Sequence, residues 1–297
     1  MTTNHKNYLI LAGLIFFWAL SWPIIKIGLQ DISPLWLSVA RLLLGSAVMF
    51  VFAVIQKQFI LPNRKDLPLI FSIGILQMAA FVCLMNYGLK FVEAGRSAIL
   101  AYSTSIWVIP IAITFFGEKI IPLNILGFLL GLGGILVLFH PSTLNWSDHQ
   151  LLIGNCALLL AAICWAIAML HTRYGQWHSS AIALMPWQLL LGSLCALPLA
   201  IIFEPVSAIH WTPRLVWIII YTVLFSTAYG FWGVITISKT LSVTITSLSL
   251  LLVPVFGLIF SALMVGESIT AGILIAMMLI ISGLACVALA SRSRTSS

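Results

Sequence analysis

The chain has 297 residues, of which 62% are hydrophobic and only 7% are charged. Soluble domains carry about 25% charged residues, so this composition excludes a water-soluble enzyme or binding domain and indicates an integral membrane protein. The net charge of +7 comes mainly from cations between apolar segments, where they orient a chain in the bilayer, and it does not indicate nucleic-acid binding.

Ten apolar segments follow one another along the chain, each close to the roughly 20 residues that a helix needs to cross a membrane. They lie near 8–25, 35–55, 67–89, 97–116, 121–139, 151–170, 181–203, 215–238, 243–265 and 269–290. The polar connections are too short to form a soluble domain. The sequence therefore predicts an all-α integral membrane protein with ten transmembrane helices, whose function lies in the helix bundle within the lipid bilayer.

Lysine and arginine are distributed unevenly between the two sides of the membrane. The first apolar segment lacks a small-residue cleavage site and is expected to be a retained helix rather than a signal peptide. With the N-terminus inside, the nine inner cations are Lys6, Lys57, Arg64, Lys65, Lys119, Arg173, Lys239, Arg292 and Arg294, and the four outer ones are Lys26, Lys90, Arg96 and Arg214. This excess predicts a multi-pass membrane protein with both termini in the cytoplasm.

The two halves of the chain resemble one another. Arg41-Leu-Leu-Leu-Gly-Ser46 reappears as Gln188-Leu-Leu-Leu-Gly-Ser193 at an offset of 147, and Gly117-Glu118 matches Gly266-Glu267 at an offset of 149. Because one unit contains five helices, the second copy must enter the membrane from the opposite side. The sequence therefore predicts two inverted five-helix repeats, residues 1–145 and 146–297, which is an architecture of many secondary transporters.

Two apolar segments, 95–110 and 244–257, combine hydroxyl side chains with a proline. A membrane helix of this kind has backbone carbonyls that only neighbouring helices or a water-filled cavity can satisfy. We therefore expect helices 4 and 9 to line one central cavity. In helix 4 the proline lies at 110 rather than at 105, the position equivalent to Pro254, so its bend is expected to be displaced by more than a turn.

Several motifs together resemble a known family. The ten helices in two repeats, Trp18-Ala19 and Trp165-Ala166, and Leu-Leu-Val-Pro-Val-Phe (251–256) before Gly266-Glu267 are similar to the EamA type of the drug/metabolite transporter (DMT) superfamily. Ala-Gly-Arg-Ser-Ala-Ile-Leu-Ala-Tyr (94–102) resembles the branch of bacterial amino-acid and metabolite exporters, including aromatic amino-acid exporters. The resemblance covers essentially the whole chain and implies export of a small metabolite across the bacterial inner (plasma) membrane.

Aromatic and polar side chains within the spans are the candidate substrate site. A mid-span indole must find a partner for its N–H, and such residues either line a cavity or pack tightly between helices. Ser103 with Ser105, and Ser247 with Ser249, recur beside the two prolines and offer hydroxyls for an amino and a carboxylate group. The predicted substrate-binding residues are Trp18, Trp22, Gln77, Tyr102, Ser103, Trp107, Trp165, Tyr229, Trp232 and Ser249.

Arg41 is the one charged residue within a span, roughly 10 Å from the start of helix 2 at about 1.5 Å per residue. It either contacts a substrate carboxylate, as ionisable residues at depth often have a function, or extends to the membrane surface. Its equivalent in the second repeat is Gln188, so the architecture does not require the charge. Gly95, Pro110, Pro254 and Gly257 are the predicted hinge positions.

Other polar residues near the helix ends have two interpretations each. Glu118 and Glu267 follow glycines, and they either cap or turn a helix or couple transport to protons. His171 ends helix 6, where it is either solvated or titrates near neutral pH. Small-residue stripes, Gly127-x-x-x-Gly131 and Gly272-x-x-x-Ala276, indicate that helices 5 and 10 form close helix contacts as a scaffold.

The sequence contains no set of residues typical of an enzyme. No span holds a carboxylate pair, a metal-ligand cluster or a Ser/His/Asp set, and no glycine-rich loop ends in Gly-Lys-Ser/Thr. The five cysteines lie within apolar spans without a Cys-x-x-Cys pair, which disfavours a disulfide or zinc site. We therefore expect no catalysis, no cofactor, no metal and no ATP.

The function predicted from these features is secondary-active export of small metabolites, with amino acids, aromatic ones among them, as the expected substrates. Helices 1, 3, 4 and 6 are expected to rock against helices 8 and 9 around a central cavity. The alternatives are an exporter of drug-like or cationic compounds and a membrane subunit that binds or senses a ligand without moving it. A monomer is the expected oligomeric state, and the sequence does not fix the substrate, the coupling ion or the direction.

Overall fold

The computed structural model describes residues 3–117, 122–141, 143–238, 240–241 and 243–295. Within these residues ten helices are long and apolar enough to cross a membrane, and this part of the chain contains no β-strand. The six uninterrupted helices are α1 (Thr3–Gly28), α2 (Pro34–Ile55), α5 (Pro122–Phe139), α6 (His149–Tyr174), α7 (Ala181–Phe203) and α10 (Ala271–Thr295). The predicted ten-helix architecture is confirmed.

The other four membrane helices are interrupted in matching places. Helix α3 (Arg64–Phe91) contains a π-helical segment, Ile73–Ala80, and α8 (Pro213–Ile237) contains another, Thr222–Tyr229. Helix α4 consists of Ala94–Tyr102 and Thr104–Phe116, and α9 of Val243–Leu250 and Leu252–Val265. The π segments are 149 residues apart and the breaks at Ser103 and Leu251 are 148 apart, so the two repeats share the irregularities of their backbones.

The position of the break in α4 differs from the sequence prediction. Pro110 does not displace the bend, because the helix is interrupted at Ser103, the equivalent of Leu251. The Ser103 hydroxyl donates to the Leu100 carbonyl at 2.6 Å, and the Thr104 hydroxyl donates to the Ala101 carbonyl at 2.8 Å. Hydroxyls that bond carbonyls of the preceding turn compete with the helix and bend it, so α4 breaks without a proline at this point.

Helices α5 and α10 pack as a pair, and α2 packs on α7. A Cβ added at Gly283 of α10 would lie 2.6 Å from the Gly127 carbonyl oxygen and 2.9 Å from the Gly131 nitrogen of α5. Backbones can approach this closely only where a side chain is absent, which agrees with the predicted scaffold contact of α5. The remaining helices α1, α3, α4, α6, α8 and α9 contact one another around the middle of the bundle.

Carboxylates bind helix N-termini on one face of the bundle. This face carries the loops after α1, α3, α5, α7 and α9. It is called the opposite face below, because it lies across the membrane from the N-terminus. Glu267 accepts hydrogen bonds from the Ala94 and Gly95 nitrogens at 2.6 and 3.0 Å and from the Ser261 hydroxyl. Glu204 likewise accepts from the Leu35 nitrogen of α2 at 2.9 Å. Free N–H groups at a helix start favour such anions.

Glu267 therefore has the capping geometry that one interpretation of the Gly-Glu motif predicted, although the helix it caps is α4 rather than its own. Its repeat equivalent, Glu118, lies outside the described residues. His171 lies at the end of α6 beside a cavity of about 360 Å³ on the N-terminal face, lined also by Lys65, Gln176 and His178.

Candidate functional site

Tyr102 occupies the middle of the predicted site. It lies at the end of the first segment of α4, directly before the break, and packs against two groups of buried side chains. Trp18, Tyr229 and Trp232 pack against one of these groups, and Trp22, Trp107 and Trp165 belong to or pack against the other. The structure thus brings the predicted aromatic residues of four helices into adjoining regions of the bundle.

The bundle surrounds the Tyr102 ring, yet part of the side chain remains accessible. Among the described residues, nothing accepts a hydrogen bond from its hydroxyl. A phenol in an enclosed position normally finds a partner, so this hydroxyl is available to a ligand.

Trp18 and Arg41 meet at the π segment of α8. The Trp18 indole donates to the Ser226 carbonyl at 3.0 Å. The Arg41 Nε donates to the Thr227 hydroxyl at 2.9 Å, and its Nη2 donates to the Ser226 hydroxyl at 3.0 Å. The guanidinium therefore points across to α8 and does not extend to the membrane surface.

Tyr229 and Trp232 continue this region along α8. Their rings are 5.7 Å apart, and the Tyr229 ring stands edge-on to Phe17 at 5.4 Å. The Tyr229 hydroxyl donates to the Ile10 carbonyl at 3.1 Å, so this phenol, unlike that of Tyr102, already has a protein partner. Tyr229 therefore fastens α8 to α1.

Trp165 of α6 is the strongest candidate on the other side of Tyr102. Its ring stands edge-on to Phe81 of α3 at 4.3 Å. Nothing among the described residues accepts a hydrogen bond from its indole N–H, which leaves that donor available. Trp107, by contrast, donates to Ser103 of its own helix at 3.3 Å, and Trp22 is almost fully buried against α9 near Gly257.

The predicted amide and hydroxyl residues lie at the backbone irregularities. Gln77 is part of the π segment of α3, Ser103 forms the break in α4, and Ser249 lies two residues before the break in α9. The Ser247 side chain lies outside the described residues. Gln188, the equivalent of Arg41, is 4% exposed, and its Nε2 has no partner within the described structure.

Two of the predicted hinges are sites of close packing. A Cβ on Gly95 would lie 2.5 Å from Leu258 of α9, and one on Gly257 would lie 3.3 Å from the Ala98 side chain of α4. Both glycines thus allow α4 and α9 to approach each other. Pro254 follows the break in α9, whereas Pro110 lies about two turns beyond the break in α4, and the hinge roles stay predictions.

Ser226 and Thr227 contact the candidate residues Trp18 and Arg41, although the predicted substrate-binding residues do not include them. They are hydroxyl residues of α8 and are almost fully buried. The repeat contained a usable signal, because Ser226 is the equivalent of Gln77 at the offset of 149 that relates the π segments. No group of three or more His, Cys, Asp or Glu residues in the described parts of the chain could hold a metal ion.

Comparison with known proteins decides the family. The model of the EamA-like transporter family matches residues 5–140 and again 152–289. The chain belongs to the EamA-like transporter family. The predicted relationship to the EamA type of the DMT superfamily is thereby confirmed, and so is a membrane transporter as the general class.

Individual relatives of this EamA protein are similar over nearly their whole length. An uncharacterized transporter of Bacillus subtilis, YoaV, is 29% identical over 94% of this chain and 95% of the relative. A probable amino-acid metabolite efflux pump of Escherichia coli is 27% identical over 95% of this chain and 94% of the relative. A solved crystal structure superposes with a TM-score of 0.66 at 18% identity over 99% of both chains, which supports the fold.

Proposed function

We propose that this EamA protein is a secondary-active exporter of small metabolites, with amino acids, aromatic ones among them, as its substrates. It works by alternating access around the region between α1, α3, α4, α6, α8 and α9. A name given to two relatives, probable amino-acid metabolite efflux pump, supports the substrate class.

The observation that carries the proposal is the pairing of irregular backbone segments. The π segments of α3 and α8 and the breaks of α4 and α9 lie well inside the membrane spans at equivalent positions of inverted repeats. Non-helical backbone at membrane depth is tolerated where it is enclosed by protein or lines a cavity, and transporter sites lie at such interrupted helices between repeats. The aromatic residues around Tyr102 lie at the same place.

The acidic residues disfavour export of cations by this site. Of the six acids that the structure describes, none lies in the middle of a membrane helix. The carboxylates of Glu204 and Glu267 hold helix ends, and that of Asp31 is paired with Arg214. A cationic drug would thus find no buried counter-charge, whereas a zwitterionic metabolite would find Arg41.

Counterflow in proteoliposomes tests the proposal. Vesicles loaded with an unlabelled amino acid should take up labelled phenylalanine faster than vesicles loaded with buffer or with a drug-like cation. Replacing Trp165 by Ala should lower the rate about tenfold, the equivalent of roughly 1.4 kcal/mol, because the ring that faces Phe81 is lost. Trp217→Ala is the matched control, since Trp217 is 70% exposed on α8, and it should transport normally.

Exchange of cations without exchange of amino acids would instead support a drug exporter. Absence of exchange for both classes by a folded protein would support a membrane subunit that binds without transport. Normal transport by Trp165→Ala would remove that residue from the substrate site.

A further inference from the structure

The Arg41 side chain connects α2 with the buried middle of α8. Its two hydrogen bonds, to Thr227 at 2.9 Å and to Ser226 at 3.0 Å, lead away from the membrane surface. Ser226 lies 13 residues from the start of α8 at Pro213, or roughly 20 Å at about 1.5 Å per residue. The guanidinium is therefore held near the middle of the bilayer.

This charge has no neutralising partner in the described structure. A guanidinium stays protonated under all ordinary conditions, and the two hydroxyls that bind it are neutral. No carboxylate of the described residues lies within ion-pair distance of Arg41. An unpaired charge away from water is strongly unfavourable, so the position favours the entry of an anion.

The Arg41 guanidinium also has N–H groups that are not engaged in hydrogen bonds. Nε and Nη2 are engaged, whereas Nη1 donates to no acceptor among the described residues. The bundle encloses the side chain, yet part of it remains accessible. Trp18, whose indole is bonded to the same Ser226, provides an aromatic wall beside it.

The second repeat shows that the fold does not need this charge. Gln188 takes the equivalent place in α7, next to the π segment of α3, and is neutral. A buried arginine at only one of two equivalent positions makes the two ends of the central region electrically different. A ligand with one anionic group would bind in a single orientation.

We propose that Arg41, Ser226 and Thr227 form the carboxylate-binding end of the substrate site. The inference rests on the proposed function and extends it. Arg41 presents its fork to one carboxylate of the metabolite, a pairing that guanidinium geometry suits, and Trp18 contacts the apolar part. Metabolites that have a carboxylate are accepted, and those in which the carboxylate is an amide or is absent are rejected.

Three matched compounds for each of two side chains test the proposal. Phenylalanine and leucine are each compared with their amides, which keep the amine, and with 3-phenylpropionate and 4-methylpentanoate, which keep the carboxylate. Each is trapped inside proteoliposomes, and entry of the labelled amino acid is measured. The four compounds with a free carboxylate should support exchange about 10-fold to 150-fold better than the two amides. This is the range that a hydrogen bond to a charged group implies.

Arg41→Gln should abolish this preference, because it removes the guanidinium. Glutamine is the chosen replacement because it is the residue at the equivalent position 188. Arg64→Gln is the matched control, because Arg64 is exposed at the start of α3 and its replacement also removes one positive charge. Thr227→Val removes one hydroxyl at constant size and should reduce the preference in part. Size-exclusion profiles and melting temperatures establish that each variant is folded, and Thr227→Val serves if Arg41→Gln does not fold.

The outcomes separate this inference from the proposed function. Equal exchange of acids and amides by the wild-type protein would overturn the carboxylate site and leave the transporter intact. An undiminished preference in folded Arg41→Gln, or in Thr227→Val if the former does not fold, would overturn it as well. Exchange of none of the six compounds would overturn the proposed function, and the inference with it.

Discussion

At the scale of single residues, the charged groups near the membrane surfaces hold helix ends together. Lys26 donates to the Leu89 and Val92 carbonyls at the end of α3, both at 2.7 Å. Arg96 donates to Asn155 of α6 at 2.8 Å and to the Thr143 carbonyl at 2.7 Å. Cationic side chains that satisfy free backbone carbonyls in this way fasten neighbouring helices to one another.

Asp31 and Arg214 join the loop after α1 to the start of α8. The Arg214 Nε donates to Asp31 Oδ2 and its Nη2 donates to Asp31 Oδ1, both at 2.8 Å. This hydrogen bonding by Arg214 holds the pKa of the Asp31 carboxyl below its ordinary value. The pair therefore stabilises the fold above the unfolded pKa of about 3.9, and the stabilisation is lost as pH falls through the lower folded pKa.

We expect Arg214→Gln to lower the melting temperature at pH 7 by a few degrees, because a partly exposed ion pair contributes up to about 1 kcal/mol. The difference from the wild type should shrink as the pH approaches 3. Intrinsic fluorescence during heating in detergent at several pH values measures this. Arg64→Gln is the control, and a difference that is equal at pH 3 and pH 7 would show that Asp31 is not responsible.

At the scale of helices, glycine determines how closely neighbours approach. Gly192 of α7 faces α3 so closely that a Cβ would lie 2.6 Å from the Met78 Cβ. The same holds between α5 and α10, where Gly283 faces the backbone of Gly127 and Gly131. These contacts fix the spacing of the paired helices.

Gly283→Ala and Gly133→Ala form a matched pair of substitutions. Alanine at 283 would overlap backbone atoms of α5, whereas a Cβ at 133 would meet nothing within 4 Å. We expect Gly283→Ala to destabilise the protein by about 1–3 kcal/mol and Gly133→Ala to be neutral or stabilising by up to about 1 kcal/mol. Melting temperatures in detergent compare them, and equal values would contradict the packing argument.

At the scale of the whole molecule, the opposite face uses most of its cations internally. Of the four lysines and arginines assigned to it, Lys26 binds carbonyls at the end of α3, Arg96 binds the Leu138 and Thr143 carbonyls, and Arg214 binds Asp31. These cations therefore have a structural role on the opposite face, and the count of lysines and arginines alone predicts a cytoplasmic N-terminal face.

Fusions to reporter proteins test this orientation. Alkaline phosphatase fused after Ser297 should be inactive, and green fluorescent protein at the same position should fluoresce, since both report a cytoplasmic C-terminus. Alkaline phosphatase fused after Asn145, in the connection between α5 and α6, should be active. The reverse pattern would show that the chain inserts the other way round.

The sequence by itself determined the number of helices, their approximate ends and the division into two inverted repeats. A membrane-spanning helix can be recognised from its own stretch of sequence, because it needs about 20 apolar residues. The odd number of helices in a repeat requires the second repeat to be inverted. The Trp-Ala and Gly-Glu motifs, together with the repeat, were sufficient to indicate the family to which the chain belongs. The structure places the aromatic candidates in adjoining regions of the bundle, and their role in substrate binding stays a prediction.

Only the tertiary structure decided which side chains meet. That Arg41 points to Ser226 and Thr227 depends on contacts about 185 residues apart in the chain, and no local pattern encodes the direction of a long side chain. The break at Ser103 arises from hydroxyls bonded to their own helix, which compete with backbone hydrogen bonds in a way that composition does not reveal. Glu267 became a cap of α4 because the inverted repeats place that turn against it, a pairing that exists only once the helices have packed.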